Sequence, residues 1–139
     1  MSTFANATNT DRPSPFLRRV LLLDAAASGA TALLVTAAAG LLEGLLGLPA
    51  ALLRGAGLVL VPYVAFVVFT GTREAIPRAA VWAIVAANAA WAIASILLLM
   101  SGLVAPTLLG YAFVIGQAAV VALLGELQYV GLRRPLAAA

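Results

Sequence analysis

The stretch VLLLDAAASGAT, residues 20–31, carries a carboxylate, Asp24, inside an apolar run that begins directly after Arg18-Arg19. An acid inside a membrane-spanning segment is costly to hold there and marks a candidate site for an ion or a proton. A second acid, Glu126, interrupts the last apolar run before the C-terminus. The polar residues around these two follow helical spacing. Asp24, Ser28 and Thr31 stand at i, i+4 and i+7 and so form one stripe on a helix. Asn88, Trp91 and Ser95 form another, whereas Gln117 and Gln128 share a face from which Glu126 points nearly the opposite way. The candidate intramembrane polar site is therefore Asp24, Ser28, Asn88 and Glu126, and its chemistry would be cation or proton binding.

Other chemistries lack their residues. With no Cys and no His, the chain offers no thiolate, no disulfide and none of the usual ligands of zinc, copper or haem. No metal site and no cofactor are expected. Nucleophilic catalysis needs a base beside Ser or Thr, and the only bases here are a few carboxylates. The glycines lie in apolar helices or short turns, not in a phosphate-cradling loop. No catalytic residue is expected, and the chain is not expected to be an enzyme.

The elements that position these residues follow from composition. Of the 139 residues, 64% are hydrophobic and 9% charged, with a mean hydropathy of +1.10. A soluble domain carries roughly 25% charged residues to face water, so the solvent implied here is lipid. A helix needs about 20 mostly apolar residues to cross a bilayer. Four segments qualify, at about 20–42, 50–70, 79–100 and 106–130. Their apolar runs are continuous, which fits helices and not the alternating strands of a barrel. The fold class is all-α, an antiparallel four-transmembrane-helix bundle over residues 16–132. Residues 1–15 read as a flexible cytoplasmic tail and 133–139 as a cytoplasmic C-terminal tail. Arg18-Arg19 before an apolar run also resembles a signal peptide, but the run is too long and is broken by Asp24, so it stays as helix 1.

Arginine placement sets the orientation. Arg12, Arg18, Arg19, Arg73, Arg78, Arg133 and Arg134 fall on one side of a four-helix protein and Arg54 alone on the other, so both termini are expected in the cytoplasm. All eight basic residues are Arg, a usage that fits a GC-rich bacterial genome, and hence the inner membrane. Despite a pI near 10.2, these scattered residues make no continuous basic face, and nucleic acid is not an expected partner. Short connections make sequence neighbours antiparallel, with Pro49, Pro77 and Pro106 placed to open helices 2, 3 and 4. Small residues mark packing seams: Ala25-Ala26-Ala27-Ser28-Gly29-Ala30 and Gly40 and Gly44 on helix 1, and Ala86, Ala90 and Ala94 on helix 3. Glu43 and Arg54 flank the first outer loop as an expected pair.

Two readings of Asp24 compete. In the first, Asp24 lies about 7 Å past Arg19 and Glu126 about 10 Å before Arg133, shallow enough for Asp24 to pair with Arg18, Arg19, Arg73 or Arg78 and pin the cytoplasmic end of the bundle. In the second, Asp24 and Glu126 line a cytoplasm-facing cavity. The shallow depth favours the first.

Arg18-Arg19 leading into LLLDAAASGAT, then GLPAALLRGAGLVLVPY and the close ELQYVGLRR, resemble small bacterial four-helix integral membrane proteins of uncharacterised activity. The size and the LLRGAGLVLVP opening of helix 2 are loosely similar to DoxX-like proteins, and the likeness implies no activity. Length and a helix 1 acid are similar to the small multidrug resistance transporters. Asp in place of Glu, its shallow position and the strong arginine asymmetry depart from that family. The expected function is a non-enzymatic structural or accessory membrane component, the alternative a small transporter or proton-coupled carrier using Asp24 and Glu126. The expected partners are the lipid bilayer and, through the second polar face of helix 4, another membrane protein or a homo-oligomer.

Overall fold

A computed structural model describes residues 15–133, and the tail expected at the N-terminus lies almost wholly outside them, as does most of the C-terminal one. The described chain is all-helical: α1 Pro15–Ala37, α2 Ala39–Leu46, α3 Ala50–Gly71, α4 Arg78–Ser101 and α5 Leu108–Arg133. Four of these, α1, α3, α4 and α5, are long and apolar enough to cross a membrane. Three lie within a few residues of their expected bounds. The first does not. It starts at Pro15 and bends at Ala38, so the segment expected at 20–42 is divided between α1 and α2. Arg is a good helix former, and Arg18-Arg19 ends the apolar run without ending the helix. The bend keeps the hydrogen bonds from Ala38 N to Leu34 O and from Leu42 N to Ala38 O. It sets Ala39 and Leu46 into an apolar cluster with Val35, Leu48, Leu53 and Val114.

The helix ends follow local chemistry. Pro49 and Pro77 sit immediately before α3 and α4 in extended conformation, where a missing N–H costs nothing. Ahead of α5, Thr107 Oγ1 accepts the Gly110 N–H. Gly47 and Gly102 close α2 and α4 at positive φ of 71° and 77°, the backbone state that glycine adopts without strain. Glu43 does not pair with Arg54. Its carboxylate takes the N–H of Ala50, an unsatisfied donor at the positive end of α3.

Packing joins α1 to α3 and α4 to α5, with α1 also touching α5, while α3 and α4 scarcely meet despite their short connection. The close approaches are made by single glycines. A Cβ on Gly57 would strike Thr36 Oγ1, and one on Gly110 would strike the carbonyl of Leu46. Of the seams expected from small residues, the one at residues 25–30 is used, with Ala25 and Ser28 buried, and the other two are not. Gly40 and Gly44 face open space, and Ala86, Ala90 and Ala94 are exposed. Spacing places such residues on one face of a helix but does not say which neighbour meets that face.

At the arginine-rich end, Leu21, Val67, Val81 and Ile84 form a closed apolar layer. The arginines bind backbone there. Arg18 donates to the carbonyls of Gly71, Arg73 and Glu74, and Arg78 donates to Leu132 O at 2.9 Å. The Gly71 and Leu132 carbonyls belong to the C-terminal ends of α3 and α5, which lack helical donors and carry partial negative charge, and those of Arg73 and Glu74 to the loop after α3.

Candidate functional site

Asp24 is fully buried, at 0% exposure, although it stands only about 9 Å along the helix from Arg18. The pairing with arginine expected from its depth is not what the structure holds, because the arginines cap helix ends and the apolar layer lies between. Four neutral donors take their place. Ser28 Oγ donates to Oδ1 at 2.9 Å. On Oδ2 converge Tyr63 Oη at 2.7 Å, Asn88 Nδ2 at 3.1 Å and Gln128 Nε2 at 2.7 Å. Asn88 also donates to Gln128 Oε1 at 2.8 Å, and its own Oδ1 lies 3.0 Å from Tyr63 Oη. The cluster therefore takes one or more side chains from each of the four long helices.

Each participant arrives by its helical position. Asp24 and Ser28 are one turn apart on the buried side of α1, Asn88 faces inward from α4, and Gln128 faces inward from α5. Three of the four residues singled out from sequence, Asp24, Ser28 and Asn88, thus meet. The fourth, Glu126, does not join them and is exposed on the opposite face of α5. Tyr63 was absent from the expected site, and Gln128 was expected on a polar face without a role.

A second polar group lies on the same faces about one to three turns away. Trp91 Nε1 donates to Gln117 Oε1 at 2.9 Å, Gln117 Nε2 donates to Ser95 Oγ at 2.9 Å, and Ser95 Oγ donates to Trp91 O. Between and beside the two groups run two cavities. One, of about 450 Å³, reaches Ser28, Tyr63 and Asn88 at one end and Trp91 and Gln117 along its side. The other, of about 500 Å³, continues past Trp91 and Gln117 toward Leu48 and Leu98. They share Thr31, Val59, Leu60, Trp91, Phe113 and Gln117. The loose α3–α4 seam borders both. The cavity expected to face the cytoplasm is thus closed from the arginine-rich end by Leu21, Val67, Val81 and Ile84, and it runs away from that end instead.

Among the described residues no group of acids could hold a metal ion. No family model matches the chain, no curated protein matches it, and no solved structure matches it. The geometry of the Asp24 cluster and the adjoining cavities therefore carries the functional argument alone.

Proposed function

We propose that this is a non-enzymatic, multi-pass protein of the bacterial inner membrane, with both termini cytoplasmic, that binds a small lipophilic molecule in its helical core. One observation carries the reading: a fully buried carboxyl group with no cationic partner among the described residues backs the polar end of a cavity of about 450 Å³. An ionisable residue inside the membrane is a mark of function, and the volume lies in the range of small-molecule sites. Trp91 lines both cavities, and Trp82→Phe leaves it as the sole reporter. Saturable quenching of Trp91 by members of a brominated apolar panel, abolished by Gly116→Phe, is the expected result. Gly116 lines the first cavity and a Cβ there meets nothing within 4 Å, so the backbone has room to carry a side chain there. Quenching that never saturates, or that survives the filling variant, would sink the reading.

A structural role is the second reading, favoured by the way Asp24 ties all four long helices together. It is separated from the first by whether any ligand is bound at all. A second copy or another membrane protein remains a proposed partner, and crosslinking in native membranes that returns only monomer counts against it.

A further inference from the structure

The polar side chains lining the cavities share a property that concerns the direction of their hydrogens. Ser28 and Tyr63 each direct a single hydroxyl hydrogen to Asp24, and Asn88 uses its amide hydrogens on Asp24 and Gln128. Thr31 donates to Ala27 O and Ser95 to Trp91 O. Trp91 donates to Gln117, whose own amide donates to Ser95 Oγ and Val114 O. The sense of the Asp24 cluster is fixed by its centre. Four donors converge on the two Asp24 oxygens, so Gln128 faces them with nitrogen, the Gln128 oxygen accepts from Asn88, and the Asn88 oxygen is the one that faces the Tyr63 hydroxyl. Every hydrogen on these lining groups is thus engaged within the protein. What is left for an occupant is a set of lone pairs on Ser28 Oγ, Tyr63 Oη, Asn88 Oδ1 and Gln117 Oε1.

Such a lining discriminates by chemistry. A carboxylate, phosphate, ester or ketone finds no donor and loses its hydration without replacement. A group bearing N–H finds acceptors, and a positive charge seated against Ser28, Tyr63 and Asn88 is one hydrogen-bonded layer from Asp24. The remaining wall, including Leu60, Phe113, Val121 and Leu124, is apolar. We infer that the cavity selects a protonated amine carried on an apolar body over neutral, anionic and quaternary analogues of the same body. This rests on the ligand-binding reading above and names the class of ligand.

The test uses the full chain with Trp82→Phe in nanodiscs of zwitterionic lipid, and a bromoalkyl amine, alcohol, carboxylate and trimethylammonium of one chain length. The amine should quench Trp91 saturably and bind at least about tenfold more tightly than the other three, specificity being a difference of affinities. Asp24→Asn should reduce amine binding to the level of the alcohol. An alcohol or trimethylammonium that binds wild type as tightly as the amine overturns the inference while leaving a ligand-binding cavity. Amine binding unaltered in a folded Asp24→Asn protein overturns it as well. No saturable binding by any of the four overturns both this inference and the reading beneath it. Should Asp24→Asn not fold, the ranking of the four ligands on wild type decides the question.

Discussion

Three of the four hydrogen bonds to Asp24 fall on one oxygen, and this asymmetry sets what each substitution should do. In Asp24→Asn the retained oxygen can keep those three donors while the new amide nitrogen faces Ser28, whose hydroxyl can turn and accept. The variant should fold, with only a modest loss of stability. Gln128→Leu is different. It removes a donor from Asp24 and an acceptor from Asn88 at once, leaving two buried polar groups short of partners, at a cost of about 1–3 kcal/mol. Tyr63→Phe removes one donor of four and should cost about 0.6 kcal/mol, the usual value for a hydrogen bond between membrane helices. Equilibrium unfolding in mixed detergents gives the ranking, and equal losses for Gln128→Leu and Tyr63→Phe would mean that the cluster is not organised around Gln128. The sequence disclosed the stripes to which Asp24, Asn88 and Gln128 belong because helical spacing fixes direction around an axis. It did not disclose Tyr63, which has Leu60, Val59, Phe66 and Val67 at its helical neighbours and so belongs to no polar stripe. The expected Asp24–arginine pairing failed for a related reason: distance along the axis was legible, but the intervening layer of Leu21, Val67, Val81 and Ile84 depends on which faces meet.

Helix contacts show the same division between what a pattern displays and what a neighbour supplies. The four-residue repeat of Gly40 and Gly44 is visible in the sequence, yet both face open space, whereas the isolated Gly57 and Gly110 sit against Ala32 O and Leu46 O. A lone glycine opposite a carbonyl leaves no local signature. Gly110→Ala should therefore force α5 away from α2 and destabilise by about 1–3 kcal/mol, the range for overpacking. Gly44→Ala, inside α2 with nothing nearby, should be neutral or stabilising by up to about 1 kcal/mol through helix propensity. The same unfolding assay checks both, and a Gly44→Ala variant as damaged as Gly110→Ala would show that the exposed face of α2 is covered by another chain. The exposed alanines of α4 bear on the cavity too. Ala87 and Ala94 border it, and side chains this short leave α3 and α4 unbridged over most of their length.

At the scale of the molecule, the number of long helices was legible because continuous apolar runs in lipid leave the backbone one solution, and the bend at Ala38 was not, because no proline or glycine stands there to announce it. Orientation joins the two levels. Arg18 and Arg78 are not only charges that a translocation bias would keep inside; they also cap the carbonyl ends of α3 and α5. The arginines on which the expected orientation rests thus also hold that end of the bundle together. Because the chain has no Cys, single-cysteine variants report topology without background. Ser101→Cys, exposed beside the loop that follows α4, should react with a membrane-impermeant maleimide added outside intact cells. Thr72→Cys, exposed beside the loop that follows α3, should react only after the membrane is opened, and a cytoplasmic reporter fused after residue 139 should be active. Arg18→Ala should lower stability and leave this pattern intact, since six of the seven arginines on that side remain. Outside labelling of Thr72→Cys would reverse the orientation, place the Asp24 cluster in the outer half of the membrane, and direct the cavity toward the cytoplasm.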